Sequence, residues 1–269
     1  MFYAKDRKFI FVKIAAFQTD IFWQDPHQNL ANYRKKIHSL QSPVDLVVFP
    51  ETCSTGFTMK SKEFSEKQSG DTESFFMESA TKLGSFVGGG WIEKNPKGLP
   101  FNTFSVASPE GKIISRYRKL HPFSFAGENN SFTSGSELTT LKIFDFHVAL
   151  FICYDLRFPE VFRKTAGKTD LYIVIANWPK DRIEAWDTLL KARAIENQAY
   201  ILGVNRVGDA GIRNTVSHNG HSHLIDPSGK NLFQFSEKEE FYLSEIQLEA
   251  LTVYREKFPF LKDRKLEFN

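Results

Sequence analysis

Cysteine is almost missing from this sequence. Two thiols, Cys53 and Cys153, stand among 269 residues. That is too few for a disulfide framework, and no zinc-ligand spacing surrounds them. The default reading is a pair of reduced thiols in a cytoplasmic protein. Long hydrophobic runs are missing too. None approaches the roughly 18 residues that span a bilayer, so no membrane partner is expected. Near the N-terminus, Lys5, Asp6, Arg7, Lys8 and Lys13 interrupt any apolar stretch and argue against a signal peptide. Charge of one sign is absent: the formal net charge is +3. The basic clusters Arg34-Lys35-Lys36 and Arg116-Tyr117-Arg118-Lys119 are short, and a nucleic-acid binder would carry a basic stripe. Nucleic acid is therefore excluded as an expected partner. No Pro/Gly/Ser-rich linker and no repeat of short period divides the chain. One domain over residues 1–269 is the simplest organisation. Residues 1–8 read either as a disordered tail or as a misplaced start.

What is present is ordinary for a globular chain, with 41% hydrophobic and 25% charged residues. Phenylalanine is abundant at 27 copies, so ring packing should dominate the core. β-rich runs alternate with helical patterns, which predicts an α/β fold with helices outside sheets. Strands are expected over 9–17, 44–49, 86–92, 171–176 and 200–204. Hairpins are expected over 102–117, around Pro109-Glu110-Gly111, and over 141–152. A further hairpin is expected at Asp226-Pro227-Ser228-Gly229. Helices are expected over 29–40, 74–83 and 183–199 from their apolar spacing. Hairpins mixed with crossovers imply sheets that are not purely parallel. Gly88-Gly89-Gly90 lacks the Lys-Ser/Thr of a phosphate loop and reads as a strand position that must stay small.

Three polar residues follow strand-like runs where loops should begin: Glu51, Lys119 and Cys153. Side chains at strand ends of an α/β fold converge readily on one pocket. Cys153 ends a buried run and precedes Tyr154-Asp155-Leu156-Arg157-Phe158-Pro159-Glu160, with Pro159 suited to a first helical turn. A thiol at a sharp strand-to-helix turn would be exposed and favoured as thiolate. The same residue could equally be a small buried hydrophobe. A free thiol is only ~3% ionised at neutral pH. Either a neighbouring ammonium lowers its pKa or a carboxylate takes its proton as it attacks. No histidine flanks Cys153, so a Glu and a Lys would have to serve.

Phe49-Pro50-Glu51, Tyr117-Arg118-Lys119-Leu120-His121 and Ile152-Cys153-Tyr154-Asp155-Leu156-Arg157-Phe158-Pro159-Glu160 resemble, in order and spacing, the three signature segments of the nitrilase superfamily of carbon–nitrogen hydrolases. Asn177-Trp178-Pro179, 192–197 and 203–208 extend the likeness over nearly the whole chain. The resemblance implies a four-layer αββα sandwich and a Glu-Lys-Cys triad. In it Cys153 is the nucleophile and Glu51 the general base. Lys119 stabilises the oxyanion alongside the backbone N–H of Tyr154. Glu128, in Phe125-Ala126-Gly127-Glu128, is similar to a second family glutamate that orients the lysine and the substrate amide. Tyr154 in place of Trp after the cysteine, together with Asn177-Trp178-Pro179, looks most like the ω-amidase branch. That branch hydrolyses 2-oxoglutaramate and 2-oxosuccinamate through a thioester. Another amidase, an N-carbamoyl hydrolase or a non-catalytic binding domain are the alternatives. No cofactor is implied, and subunit pairing through outer helices implies a homodimer. Trp178, Arg157 and Arg206 are further candidates to line the site, although Arg157 reads equally as an ion-pair partner. His218-Asn219-Gly220-His221-Ser222-His223 has no cysteine or carboxylate close by in sequence. It reads as a solvated loop, and no metal is expected there.

Overall fold

The computed structural model describes residues 11–40, 42–211, 215–233 and 236–265. The expectation about residues 1–8 lies outside them. The elements in chain order are β1 (Phe11–Gln18), α1 (Pro26–His38), β2 (Leu46–Val48), α2 (Ser61–Phe64), α3 (Asp71–Leu83), β3 (Phe86–Glu93), β4 (Phe101–Ala107), β5 (Ile113–Arg118), β6 (Thr140–Ile143), β7 (Phe146–Ile152), α4 (Pro159–Arg163), β8 (Leu171–Ala176), α5 (Ile183–Asn197), β9 (Tyr200–Asn205), β10 (Val207–Ala210), β11 (Val216–Asn219), β12 (His223–Ile225), β13 (Glu240–Gln247) and α6 (Leu248–Lys257). None of the helices among the described residues is long and apolar enough to cross a membrane.

Local chemistry explains the helix ends. Helix α1 begins three residues before its apolar pattern because the Asp25 carboxylate accepts from the Gln28 amide and Pro26 opens the first turn. Helix α3 also begins early. The Glu66 carboxylate accepts from the Thr72 amide at 2.8 Å, and the helix stops at Gly84 in the left-handed region.

Two mixed sheets result, ordered β13-β1-β2-β3-β4-β5 and β12-β9-β8-β7-β6. Strands β1, β2 and β3 run parallel, as do β7, β8 and β9, and the outer strands run antiparallel. Strand alternation sends each face of the first sheet to a different core. Ile14, Ala16, Val48 and Phe104 face the second sheet and share one core with Leu150, Ile173 and Val204. Ala15, Phe17, Val47 and Phe49 face α1 and α3, meeting Leu30, Tyr33, Phe75 and Phe76. Trp186, Leu190 and Ala194 of α5 cover the other side of the second sheet. The layers are therefore helix, sheet, sheet, helix, the αββα sandwich.

The hairpin expected at Asp226-Pro227-Ser228-Gly229 is reduced to one bridge, Ile225 with Asn231. The later strand β13 crosses instead to the first sheet. It pairs antiparallel with all of β1, from Phe11 opposite Gln247 to Gln18 opposite Glu240. Turn chemistry marks the bend but cannot name the strand's partner.

The glycine run in β3 has a steric cause. A Cβ on Gly89 would lie 2.8 Å from Cβ of Phe49, and one on Gly90 would lie 2.5 Å from the Thr52 amide nitrogen and 2.6 Å from Cα of Glu51. The Gly90 amide donates to the Pro50 carbonyl, and the Gly90 carbonyl accepts from the Cys53 amide. The loop bearing Glu51 is laid flat on bare backbone. Gly90→Ala should lower the unfolding free energy by about 1–3 kcal/mol through overpacking, measured by urea denaturation. Unchanged stability would mean that the loop does not depend on this contact.

Candidate active site

Strand ends from both sheets meet at one edge of the sandwich. Glu51 follows β2, Lys119 follows β5, Cys153 follows β7 and Asn177 follows β8. Lys119 is pinned on both sides: its amide donates to the Asn102 carbonyl at 2.9 Å, and its carbonyl accepts from Gly135 at 2.7 Å. Its ammonium is 1% exposed and donates to Glu51 Oε1 at 3.0 Å and to Glu128 Oε2 at 2.8 Å. Asn102 Nδ2 bridges the same two carboxylates, at 2.7 Å from Glu51 Oε1 and 3.0 Å from Glu128 Oε1. Glu51 Oε2 accepts from the Asn177 amide at 2.8 Å, and the Asn177 side chain donates to the Glu51 carbonyl at 2.7 Å. The Phe57 ring lies 5.2 Å from the ammonium.

Burial alone would lower the pKa of Lys119. The Glu128 and Glu51 carboxylates outweigh it and hold the ammonium well above its ordinary range. Glu128 is raised, by burial and by the Glu51 charge, against the pull of Lys119. Cys153 is pushed far up, first by burial, then by the Glu51 charge, with Lys119 opposing. The expected route to a thiolate, a helix N-terminus beneath the sulfur, is not what the backbone builds. Cys153 has φ +47° and opens a 3-10 turn over Cys153–Arg157, and the short α4 begins only at Pro159. Burial and the Glu51 charge both work against a standing thiolate.

Asp155 joins the two loops. Oδ2 accepts from the Tyr117 hydroxyl at 2.7 Å and from the Ile152 amide at 3.0 Å. Oδ1 accepts from the His121 amide at 3.0 Å and lies 2.8 Å from His121 Nδ1. One buried carboxylate thus fixes the segment after Lys119 to the segment before Cys153. The His121 ring stacks on Phe158 with centroids 3.8 Å apart.

A cleft opens beside Cys153. Tyr154, Arg157 and Trp178 line it. Arg157 meets the face of Trp178 at 5.0 Å. Glu128 is not on the cleft wall; it stands behind Lys119 and also accepts from the Phe123 amide. Arg206 is away from the cleft lining. It is fully buried and paired with Asp20 at 2.7 Å. Trp23, Phe57, Phe123 and Arg182 also line the cleft, and nothing in their local sequence marks them. Asn102 is a buried amide in β4 that also contains Thr103 and Ser105, so its local sequence does not mark it either.

The segment His218 to His223 is not a solvated loop. His218, Asn219, Ser222 and His223 are all buried, because the segment lies between α5 and β9. Its missing carboxylate comes from far away in sequence: Asp187 on α5 lies 2.8 Å from both His221 Nδ1 and His223 Nε2. His218 lines the cleft, and burial, with Arg206 behind it, lowers its pKa to about 4.

Fold and site together define the class: a hydrolase of the αββα, nitrilase-like kind. The chain matches the carbon–nitrogen hydrolase family over residues 13–256 and belongs to it. It is 34% identical to the omega-amidase YafV of Yersinia enterocolitica, covering 94% of this chain and 96% of that one. It is 31% identical to the 2-oxoglutaramate amidase of Bacillus subtilis, covering 93% and 96%. The crystal structure of XC1258 from Xanthomonas campestris, a protein of the same superfamily, superposes with a TM-score of 0.91 at 32% identity, over 96% of this chain and 99% of that one.

Two measurements probe this construction. Asp155→Asn places an amide donor among groups that already donate, and should cost about 1–3 kcal/mol of stability, read by urea denaturation. Catalytic rate should fall with it, as the Lys119 and Cys153 loops lose their shared anchor. The second concerns His218, neutral in the fold and titrating near 6.5 when unfolded. A depressed pKa gives stability that is complete above pH 6.5 and lost as pH falls through about 4. The stability advantage of wild type over His218→Gln should shrink by about 2–3 kcal/mol across that window. An advantage that stays constant with pH would contradict the assignment.

Proposed function

We propose that this carbon–nitrogen hydrolase acts on the terminal amide of a small oxo-acid monoamide, of the 2-oxoglutaramate and 2-oxosuccinamate class. The products are ammonia and the dicarboxylic oxo acid. The observation that carries the reading is the buried Glu51–Lys119–Glu128 cluster at the strand ends that also bear Cys153, with Glu51 held by Lys119, Asn102 and Asn177. The two amidase relatives support the substrate class, and so does the cleft. Arg157 and Arg182 offer guanidinium groups to a substrate carboxylate, while Trp178, Phe123 and Tyr154 offer apolar surface to its carbons.

In the mechanism, the Cys153 sulfur adds to the amide carbonyl carbon as its proton passes to Glu51. The carbonyl oxygen becomes an oxyanion, stabilised by the Lys119 ammonium and the Tyr154 backbone N–H. Glu51 returns the proton to the amide nitrogen, the C–N bond breaks, and ammonia departs. A thioester remains on Cys153. Glu51 then takes a proton from water as the water oxygen adds to the thioester carbonyl. Collapse releases the acid and restores the thiol. Glu128 keeps Lys119 charged and placed. Asn177 Oδ1 has no partner among the described residues and is free to accept from the substrate NH₂ group. No step demands a metal or an organic cofactor.

A high pKa for free Cys153 suits this scheme, because the proton leaves only as the carbon–sulfur bond forms. Two copies of the chain are proposed to pair through their outer helices, where Ile195, Val253 and Phe260 are exposed; light scattering that gives a monomer at micromolar concentration rejects the pairing.

Ammonia release from 2-oxoglutaramate should be lost in Cys153→Ala. Glu51→Gln should also be inactive. Lys119→Ala should lose about 10²–10³-fold in kcat. Mass spectrometry of wild type quenched with acid during turnover tests for the covalent acyl adduct on Cys153. An active Cys153→Ala variant rejects the mechanism. A wild type that ignores oxo-acid amides but cleaves N-carbamoyl amino acids or simple aliphatic amides rejects the substrate class alone.

A further inference from the structure

Outside the cleft, one side-chain cluster has chemistry that amide hydrolysis does not use. Asp187 stands on the second turn of α5, His221 in the loop between β11 and β12, and His223 at the start of β12. The Asp187 carboxylate receives the two imidazoles on its two oxygens, His221 Nδ1 on Oδ2 and His223 Nε2 on Oδ1, each at 2.8 Å. One atom from each residue lies within 4.8 Å of the others, and this is a group of metal-ligand type among the described residues. The rings stand 82° apart with centroids 6.2 Å apart, so their nitrogens approach the carboxylate from different directions.

We infer that Asp187, His221 and His223 form a binding site for a divalent first-row metal ion of the zinc type. Two imidazole nitrogens and one carboxylate oxygen, with a position left for water, are a known donor set for such ions. Ligand atoms bonded at about 2.0–2.1 Å in a tetrahedron lie roughly 3.3 Å apart. The nitrogen–oxygen contacts here are 2.8 Å and the three donor atoms lie within 4.8 Å of one another, so both imidazoles shift and turn from the carboxylate oxygens toward a common ion. The Asp187 side chain is 32% exposed and the two histidines 11%. Entry is therefore from solvent on the carboxylate side, and water can complete the shell.

The far side of each ring is already held, as metal-bound imidazoles require. His223 Nδ1 lies 2.8 Å from Asn231 Nδ2. His221 Nε2 lies 3.0 Å from Asn219 Nδ2 and 3.4 Å from Glu237 Oε1. With metal on Nδ1 of His221, the ring proton moves to Nε2, where the Glu237 carboxylate accepts it. With metal on Nε2 of His223, Nδ1 carries the proton, and a turned Asn231 amide presents its oxygen. The ion would clasp α5 to the β11–β12 segment. The Trp186 indole already donates to the His221 carbonyl at 2.7 Å, along the same seam. Arg182 and His218, on either side of the seam, both line the cleft, so the clasp would stiffen one wall of the proposed amide site. The site does not depend on that assignment.

Titration calorimetry with Zn²⁺, and visible absorption with Co²⁺, would be carried out on the full chain carrying Cys153→Ala. That background removes the cleft thiol as a competing ligand. The expected result is one saturable site per chain, with the absorption of tetrahedral Co²⁺ and a melting temperature that rises with metal concentration. His223→Ala and Asp187→Asn should each abolish it, while Asn231→Ala should weaken it about 10–100-fold. Circular dichroism melts without metal confirm that each variant folds. His38→Ala, distant from the cluster, should bind as the parent does. Absence of saturable binding overturns the inference. So does binding that persists unchanged in folded His223→Ala and Asp187→Asn, which would place the metal elsewhere.

Discussion

The ammonium of Lys119 lies in the interior with almost no access to water, and the rest of the site is built around that charge. Removing an ion from water costs several kcal/mol even after the protein relaxes. The cost is offset only when the neighbours are charged and correctly placed. Glu51 and Glu128 supply the charge, at 3.0 and 2.8 Å. Two carboxylates so close would repel each other without the cation between them, and Asn102 donates to both. Each member is thus tolerated because the others are present. Withdrawing one leaves a buried charge uncompensated, which is far more damaging than never having built the cluster.

That constraint reaches outward into the fold. Glu51 and Lys119 come from the first sheet, Cys153 and Asn177 from the second, and the sheets must face each other in one register for the four to meet. Gly90 allows the Glu51 loop to lie against bare backbone, and Asp155 ties the loops after β5 and β7 together. The same closeness that stabilises the lysine raises the pKa of the cysteine. An anionic carboxylate beside a thiol disfavours a second negative charge and offers a proton acceptor. Burial and the neighbouring charge therefore both work against a standing thiolate at Cys153.

Much of this could be read along the chain. Apolar periodicity located strands such as β8 to the residue and set the middles of α1, α3 and α5, with errors confined to ends where Asp25 and Glu66 act as caps. Polar residues directly after buried runs pointed to Glu51, Lys119 and Cys153, and Arg157 and Trp178 do line the cleft. The residues left unread were Asn102, Asp155, Arg182, Trp23, Phe57 and Phe123. Their importance comes from neighbours dozens of positions away, and a single buried amide or aromatic ring looks like packing until those neighbours are known. The histidine segment failed for the same reason. Its carboxylate, Asp187, is 34 and 36 residues upstream of its two partners.

Order along the chain decides which stretches become strands and helices, because burial of alternate or every third and fourth side chain is settled within about ten residues. It also decides which functional groups stand at strand ends. Only folding in three dimensions decided that β13 leaves its neighbour β12 for β1, that burial and Glu51 raise the proton affinity of Cys153, and that Asp187 lies between two imidazoles. Strand partnership, proton affinity and ligand convergence depend on distances of a few ångströms between groups remote in sequence. Those distances exist only once the sheets have closed on each other.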